Sequence, residues 1–448
     1  MDSVPLIIDA LSSKGKGIAK FQNSKVEVPF SLPGDEIIVS LGKKRRGVYK
    51  AALSHIKAPS PMRVDPLCKH ASVCGGCTLQ HMSYLKQLEE KEGRIRALFA
   101  PLIKEALFHP ILPALSPWHY RNKMEFSFSQ NRAKERFLGL MQAKGRVCSL
   151  TECHIAPPWM IEALQAVYAF WENTDLLAYH PPSNTGSLRT LTLREGKRTG
   201  DKMAILTVSG NPEFALKRHH IDAFKETLER LHPFSLFLRI QQIAKKQPTQ
   251  FYEMHLAGKP HIEEILEVNG RSWRCVISPS SFFQPNTLQA ERLFARAFEL
   301  VSPPKGVLDL YCGTAVLGLL ATSYADKVTA VEINPYATFD AECNVLNNNV
   351  KDLDIVCSDV GAWLAHTPVH RDLVILDPPR SGLTPQALSH LLTLQPKEIL
   401  YISCNPATQA ENATVLIQAG YQLTHIQPVD LFPHTIHTEN IIILKKPK

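Results

Sequence analysis

Apolar residues recur along the chain in three patterns, and each pattern predicts a different kind of structure. Residues 1–58 carry short apolar runs separated by glycine and proline turns such as the one at 32–35, which predict short strands in a small β-barrel. The stretch Tyr84–Phe99 has apolar residues at helical spacing between charged ones, so we expect an amphipathic helix there. Four residues are expected on its apolar side: Leu85, Leu88, Ile95 and Leu98. Residues 116–270 alternate between strand-like and helix-like patterns.

From Phe282 onward the pattern changes to a strand followed by a helix, repeated several times. The strands are expected at 307–311, 327–332, 355–357, 373–377, 399–403 and 441–444. This alternation predicts an α/β domain built on a doubly wound, mainly parallel sheet. We therefore divide the chain into an OB-like barrel at 1–58, a central α+β domain at 59–275 and a Rossmann-like domain at 276–448. Part of 83–115 is a candidate for packing on the last of these.

The charge of the chain indicates what kind of partner it binds. The chain has 448 residues, 44% of them hydrophobic and 21% charged, which is typical of an ordinary folded protein. A formal charge of +8 and a pI near 8.9, with basic runs at 14–20 and 43–50, suggest nucleic acid as the partner, and a merely solvated charged face is the alternative. No apolar stretch is long enough to cross a membrane, and the N-terminus does not resemble a secretory signal, so we expect a cytoplasmic protein.

Cysteines cluster in one glycine-rich loop. Cys68, Cys74 and Cys77 lie close together around two glycines, and Cys153 follows far downstream. In a cytoplasmic protein this pattern favours a metal site over disulfides, and three neighbouring thiols with a distant fourth suit an iron–sulfur cluster better than zinc, which prefers paired arms. Cys148 is a rival fourth ligand, and simple packing of the thiols is the remaining alternative. Four other cysteines are expected to pack in the interior: Cys275, Cys312, Cys343 and Cys357.

A nucleotide-type pocket is indicated at the first strand of the C-terminal domain. The strand at 307–311 runs into a loop with Gly313, and Glu332 ends the next strand about 20 residues later, where an acid binds ribose hydroxyls. Asp359, after the third strand, is a candidate contact for adenine. The loop has Ala315 where the dinucleotide motif G-x-G-x-x-G would need a glycine, so S-adenosylmethionine is favoured over a dinucleotide.

An acid and a thiol end two later strands of the same sheet. Asp377 is followed by two prolines and Arg380, and Cys404 closes the strand at 399–403. Ligands bind at the carboxyl ends of strands in such sheets. A thiolate beside a methyl donor suggests that it attacks C6 of uracil, which makes C5 nucleophilic enough to take the methyl group. Glu439, just before the last strand, is the candidate base for the C5 proton. An inert buried thiol and a surface acid are the alternatives.

Taken together, these motifs resemble the bacterial RNA uracil-C5-methyltransferases, and within them the 23S ribosomal RNA enzymes. The resemblance runs nearly end to end and rests on the following residues: Gly15, Gly17 and 32–35 of the barrel; Cys68, 74–77 and 79–81; 120–123 and Glu125; and Phe282, Phe283, Gln284 and Asn286. It implies an RNA-binding TRAM barrel, a central domain with a [4Fe-4S] cluster and a class I methyltransferase domain. Because the related tRNA enzymes are expected to lack the barrel and the cysteines, it implies ribosomal RNA as the substrate.

The resemblance also implies roles for single residues. Gln284, Tyr311, Glu332 and Asp377 would bind S-adenosylmethionine, and Cys404 would be the nucleophile with Glu439 as the base. The ligands of the cluster would be Cys68, Cys74, Cys77 and Cys153. The cluster is expected to be structural, since methyl transfer needs no electrons, and a monomer is the default expectation for the chain.

The chain departs from the family pattern in the donor loop. Ala315 replaces a glycine and Val316 replaces a residue that is commonly polar. If Ala315 needs a positive φ, the strain amounts to about 1–2 kcal/mol. A tRNA uracil-C5 enzyme and an amino-group methyltransferase on nucleic acid remain the rival functions. The second rival usually needs an aromatic residue where this chain has Arg380.

Overall fold

The N-terminal strands close into a barrel, as their alternating pattern predicts. The computed structural model describes residues 3–103, 106–142, 145–243, 247–366 and 371–447. The barrel strands are β1 Ser3–Ile7, β2 Ala10–Leu11, β3 Gly17–Phe21, β4 Ser24–Val28, β5 Glu36–Arg45 and β6 Val48–Ala58. They pair in the order β1-β5-β6-β4-β3-β2. Every second residue of β1 and β4 is buried, so one face of each strand fills the barrel core.

A buried acid ties the barrel to the rest of the chain. Asp35 accepts backbone hydrogen bonds from Leu32 (2.7 Å) and Ser60 (2.8 Å), and it pairs with Arg63 at 2.5 Å. Burial alone would raise the pKa of Asp35, but the hydrogen bonds from Arg63 and the two backbone groups lower it overall. The linker therefore leaves the barrel in a fixed direction.

The central region contributes a second sheet and two covering helices. Its elements are α1 Tyr84–Phe99, β7 Leu107–Phe108, β8 Lys123–Gln130, β9 Arg136–Met141, β10 Val147–Ser149, α2 Pro158–Glu172, β11 Leu188–Glu195, β12 Lys202–Ser209, a 3₁₀ turn at Pro212–Phe214, α3 Arg218–Glu229, β13 Ser235–Gln242 and β14 Gln250–Ala257. Strands β8–β14 form one sheet in the order β10-β9-β8-β11-β12-β13-β14. On one face of this sheet, apolar side chains of β8, β11 and β12 pack with those of α2 and α3. Strand β14 lies at one edge of the sheet.

The C-terminal domain is the doubly wound sheet that the sequence predicts. Its elements are β15 Ile262–Val268, β16 Arg271–Ile277, α4 Thr287–Leu300, β17 Gly306–Leu310, α5 Val316–Ala321, β18 Lys327–Glu332, α6 Pro335–Asn347, β19 Leu353–Cys357, α7 Val360–His366, β20 Leu373–Leu376, α8 Pro385–Leu394, β21 Glu398–Ser403, α9 Pro406–Gln418, β22 Gln422–Val429 and β23 Glu439–Lys445. The strand order is β19-β18-β17-β20-β21-β23-β22-β7. Strands β17–β21 are parallel and β23 is antiparallel. The order reverses between β17 and β20, and such a switch point is where ligands bind.

Two parts of the chain cross the proposed domain borders. Strand β7 pairs with β22 at the edge of the C-terminal sheet, and Ile95 and Phe99 of α1 belong to the same core. The β15–β16 hairpin also packs into the C-terminal core, although most of it was placed in the central domain. The C-terminal core therefore gathers segments from well upstream. Among the described residues, no helix is both long enough and apolar enough to cross a membrane.

The apolar side predicted for helix α1 was wrong at Leu85 and Leu98, whereas Ile95 is buried as predicted and the limits of the helix are confirmed. Leu85 is 72% exposed and Leu98 is 41% exposed. The buried residues of the helix are Gln87, Lys91, Ile95 and Phe99. Two polar side chains find partners in the interior, so counting apolar residues gave the wrong side. The packing predicted for Cys357 is also wrong, because that residue is exposed, whereas Cys275 is buried as predicted.

Candidate active site

The strand ends of the C-terminal sheet surround one large cavity of about 720 Å³. Five residues predicted for the site line it: Gln284, Tyr311, Asp377, Cys404 and Glu439. The volume lies within the range of cavities that hold a drug-sized ligand. The cavity is therefore large enough for a nucleotide-like ligand.

The donor loop after β17 has an unusual backbone. Tyr311, Gly313 and Ala315 all have positive φ, at 63°, 54° and 56°. Ala315 does have the positive φ considered above. Its backbone adopts the left-handed conformation, which an L-residue adopts only at a cost. Strain of this kind concentrates at ligand sites. Val316 begins α5 and lines the cavity.

The carboxylate of Glu332 supports this loop from behind. It accepts hydrogen bonds from the backbone of Gly313 (3.1 Å) and Asn334 (2.9 Å), and it does not line the cavity. Asp359 likewise stays outside the cavity lining and accepts from the backbone of Ala362, at the start of α7. In this arrangement both acids hold backbone groups.

Pairing between β21 and β23 brings the thiol and the candidate base together. Ser403 pairs with Asn440 in this antiparallel ladder, so the next position on one strand, Cys404, faces the preceding position on the other, Glu439. Burial raises the pKa of Glu439 well above its ordinary value, and Asp377 raises it further. Burial also raises the pKa of Asp377, to about 7. The site thus gathers two carboxyl groups that are easily protonated beside one thiol.

Arg380 places a positive charge beside the thiol of Cys404 and the two carboxyl groups. Burial raises the pKa of Cys404 to about 11, with Glu439 and Asp377 adding to the rise, while a hydrogen bond and the charge of Arg380 lower it. The backbone oxygen of Arg380 accepts from Asn405 (2.9 Å) and Thr408 (3.3 Å). The loops after β20 and β21 are therefore fastened to each other with Arg380 at the thiol.

The segment that leads to Glu439 is fastened by buried side chains from upstream. Lys91 pairs with Asp430 and also donates to the backbone oxygen of Phe432 at 3.0 Å. Gln87 accepts from the backbone of His434 at 2.9 Å, and Tyr120 donates to the oxygen of Pro433 at 3.1 Å. These contacts account for the polar buried side of α1.

The segment 120–122, just before β8, holds the other wall of the cavity. Asn122 donates to the backbone oxygen of Gln284 at 2.8 Å and to Thr287 at 2.9 Å. Its neighbour Arg121 lines the cavity. The side chain of Asn122 therefore helps to place Gln284.

The four predicted cluster cysteines line a single small cavity of about 20 Å³. Cys148 does not line it. Burial raises the pKa of all four thiols, that of Cys74 to about 11. Within the described ranges, no three His, Cys, Asp or Glu side chains meet closely enough to hold a single metal ion.

Several residues of the active cavity were missed by sequence reasoning. They come from the cysteine loop, the segment before β8 and the segment before β23: Gly75, Gly76, Thr78, Arg121, Phe432, Thr435 and His437. Cys312 also lines it, where only packing was expected. Gly75 and Gly76 belong to the cysteine loop that the sequence pattern pointed to. Nothing in that pattern indicated that the loop also lines the active cavity.

The fold and cavity define an α/β protein with a binding cavity at the switch point of its sheet, and comparison with known proteins identifies its family. Residues 206–360 and 367–447 match the family described as tRNA (uracil-5-)-methyltransferase. Residues 5–62 match the TRAM domain of tRNA (uracil(54)-C(5))-methyltransferase. The chain therefore belongs to the family of S-adenosylmethionine-dependent RNA uracil-C5 methyltransferases, and the predicted fold class and TRAM barrel are confirmed.

Relatives from several bacteria match most or nearly all of the chain. An uncharacterised RNA methyltransferase of Protochlamydia amoebophila is 44% identical, covering 94% of this chain and all of the relative. One from Chlamydia trachomatis is 39% identical over 85% of this chain and 98% of the relative. One from Clostridium acetobutylicum is 31% identical over 98% and 97%.

A solved structure resembles the complete chain. It is the tRNA (uracil-54, C5)-methyltransferase of Pyrococcus abyssi in complex with S-adenosyl-L-homocysteine, with a TM-score of 0.75, 27% identity and coverage of 98% of this chain and 100% of that chain. The TRAM description also names a tRNA enzyme. The expectation that tRNA enzymes lack the barrel is therefore wrong, and the barrel does not separate ribosomal RNA from tRNA as the substrate.

Proposed function

We propose that this enzyme methylates C5 of a uridine in 23S ribosomal RNA through a covalent bond between Cys404 Sγ and C6 of the base. The observation that carries the proposal is the pairing of β21 with β23, which sets Cys404 opposite Glu439 at the rim of the cavity that the donor loop also lines. A nucleophile and a base on opposite strands can act on neighbouring carbons of one ring.

Each residue has a distinct task in this mechanism. Arg380 favours the thiolate of Cys404, which forms the S–C6 bond and turns the ring into an enolate. S-adenosylmethionine, when bound, would supply an electrophilic methyl group to C5, and its sulfur would keep the electron pair of the broken S–CH₃ bond and leave as S-adenosylhomocysteine. Glu439 takes the C5 proton, and the returning electron pair breaks the S–C6 bond and restores the thiolate. The target base has to leave its stack to enter the cavity.

Glu439 must be ionised when it acts, although burial and Asp377 favour its neutral form. A cationic sulfonium near both carboxyl groups would favour their charged forms. The buried site therefore links the readiness of the base to the presence of the donor. Gln284, Tyr311 and Asp377, which line the cavity, are the proposed donor contacts, with Glu332 holding the loop.

The cysteine cavity is proposed to hold a [4Fe-4S] cluster on Cys68, Cys74, Cys77 and Cys153. The four thiols share one cavity, yet in the part of the chain that is described no three candidate ligands meet at one ion. A [4Fe-4S] cluster takes four thiolate ligands, as many as line this cavity. Its role would be structural, holding the loop whose Gly75 and Gly76 line the active cavity.

A covalent trap tests the mechanism. RNA containing 5-fluorouridine should form an adduct with the wild-type enzyme and S-adenosylmethionine, because fluorine at C5 cannot leave as a proton. Cys404→Ala should abolish the adduct. Full adduct formation by Cys404→Ala would overturn the proposal. So would the absence of any adduct with the wild-type enzyme, which is the result that an amino-group methyltransferase predicts.

A tRNA substrate is the second candidate, and the likeness to the Pyrococcus abyssi tRNA enzyme favours it. Purified enzyme should be offered 23S ribosomal RNA and a tRNA pool with labelled donor, followed by mapping of 5-methyluridine. Methylation of tRNA alone would replace ribosomal RNA in the proposal and leave the chemistry unchanged.

A further inference from the structure

The two stretches of chain that supply the cysteines of the small cavity both reach the turn before Glu439. The first stretch carries Cys77, and two residues later the backbone of Leu79 donates to the backbone oxygen of His434 at 2.9 Å. The side chain of Gln87 reinforces this contact, since it donates to the oxygen of Leu79 at 3.1 Å and accepts from the backbone of His434 at 2.9 Å. The cysteine loop is therefore hydrogen-bonded directly to the turn.

The second stretch, which carries Cys153, reaches the same turn through residues 119–121. Residues 154–155, just after this cysteine, accept two backbone hydrogen bonds from residues 119–121, at 2.8 and 3.0 Å. In the middle of that segment, the hydroxyl of Tyr120 donates to the backbone oxygen of Pro433 at 3.1 Å. Both cysteine stretches are thus tied to adjacent residues of one turn.

Ring packing joins the same parts of the molecule. The ring of Trp118 stacks on that of His434, with the centroids 3.9 Å apart, and meets the ring of His154 edge-on at 6.2 Å. His154 lines the cysteine cavity. His434 is buried and has a positive φ of 63°. Such a conformation persists where the surroundings fix it from several sides, as the loop, the segment and the ring do here.

The turn carries this position on to Glu439. Thr435 closes the turn, since its backbone and its hydroxyl both donate to the oxygen of Phe432, at 3.2 and 2.8 Å. The same hydroxyl accepts from the backbone of His437 at 3.2 Å. Glu439 is the first residue of β23, so the sheet holds the chain on only one side of it. The chain on the other side is held by the turn.

We propose that Tyr120 and His434 are positioning residues for Glu439, and that they make removal of the C5 proton depend on what fills the cysteine cavity. This inference rests on the proposed function and concerns one step of it. Neither side chain lines the active cavity, so both act through the turn.

The earlier steps of the reaction should be spared. Cys404 follows the parallel strand β21, and the next residue is fastened to the oxygen of Arg380 at 2.9 Å, so attack on C6 and methyl transfer do not require the turn. The last step does require it. There Glu439 takes the C5 proton, and the electron pair of the C5–H bond restores the C5–C6 double bond as the thiolate leaves. A displaced base therefore leaves the methylated RNA attached to the enzyme.

The first test compares Tyr120→Phe with the wild type on ordinary substrate RNA and on its 5-fluorouridine form. Turnover should fall about tenfold or more, because small misplacements of a reacting group are that costly, and the methylated covalent complex should accumulate in mass spectra. The 5-fluorouridine adduct should form at the wild-type rate. Tyr168→Phe is the matched control and should behave as the wild type on both RNAs, since Tyr168 on α2 donates a similar hydrogen bond to the backbone oxygen of Arg136 at 3.2 Å.

The second test fills and empties the cysteine cavity. Protein reconstituted with ferrous iron and sulfide should be compared with the same protein after chelation. On ordinary substrate RNA the emptied protein should accumulate the methylated complex, and it should still form the 5-fluorouridine adduct. Amide hydrogen exchange at residues 432–438 should be faster in the emptied protein, because the contacts that hold the turn are weakened.

Wild-type turnover by Tyr120→Phe would overturn the positioning role. Equal turnover by the filled and the emptied protein would overturn the dependence on the cavity, as would loss of the adduct on emptying, since the cavity would then act on the whole site. A wild-type enzyme that forms no 5-fluorouridine adduct would refute the covalent mechanism itself. Adducts from every protein, with no accumulation of the methylated complex in any of them, would refute only this inference.

Discussion

Lys91 Nζ lies 2.5 Å from Asp430 Oδ1, and both side chains are completely buried. The pair joins the only described helix between the barrel and β7 to the segment that leads to Glu439. Tyr84 donates to the other oxygen of Asp430 at 2.8 Å. Through this contact, residues far apart in sequence fix the position of the candidate base.

Lys91→Met should destabilise the protein by about 3–5 kcal/mol, because it leaves a buried carboxylate without its cation. Burial lowers the pKa of Lys91 although Asp430 raises it, as expected for an ammonium that depends on one partner. Denaturant unfolding would measure the change. Lys86→Met, on the exposed side of the same helix, should change stability by less than about 0.5 kcal/mol. Equal unfolding midpoints for the two variants would contradict this account.

Glu439→Gln should stall the reaction after methyl transfer, because an amide cannot take the C5 proton. Turnover should fall by about 10²–10⁴-fold, the usual effect of losing a general base. Ordinary uridine RNA should then accumulate as a methylated covalent complex, visible by mass spectrometry. The variant should fold, since burial already favours the neutral carboxyl group. Normal turnover would remove Glu439 from the mechanism.

Arg380→Gln should make Cys404 less reactive at neutral pH. Arg380 lowers the pKa of Cys404 against the rise to about 11 that burial and the carboxylates produce. Without Arg380 the pKa of Cys404 is higher, so less thiolate is present at a given pH. Each unit by which the pKa rises lowers the thiolate fraction about tenfold. Alkylation of Cys404 by iodoacetamide, followed by peptide mass spectrometry, should show a profile shifted to higher pH. Arg380→Lys should restore part of the rate, and superimposable profiles would show that Arg380 does not act on the thiol.

Ala315→Gly should raise the stability of the C-terminal domain by up to about 1 kcal/mol. Ala315 has φ 56° and ψ 33°, a conformation that costs an L-residue about 1–2 kcal/mol, part of which the greater freedom of glycine in the unfolded chain offsets. Ala321→Gly, at the end of α5 in an ordinary helical conformation, should destabilise by about 1 kcal/mol. Thermal unfolding of both variants would decide, and a loss of stability in both would show that the loop is not strained at Ala315.

Much of the fold was predictable from sequence because hydrophobic periodicity is a local property. The limits of α1 at Tyr84–Phe99 and of β18 at Lys327–Glu332 agree with the pattern along the chain. The buried side of α1 was not predictable, since Gln87 and Lys91 are buried only because partners some 340 residues later meet them.

The candidate site, like the fold, was predictable from the sequence only in part. Local apolar runs were enough to predict that Asp377 and Cys404 end strands of one parallel sheet, at the edge where ligands bind. The folded chain alone shows that Glu439 faces Cys404, that Arg380 lies at the thiol and that Arg121 and the cysteine loop form the opposite wall. Those contacts depend on strand register and domain packing, which are set by the sum of many distant interactions and leave no pattern in neighbouring residues.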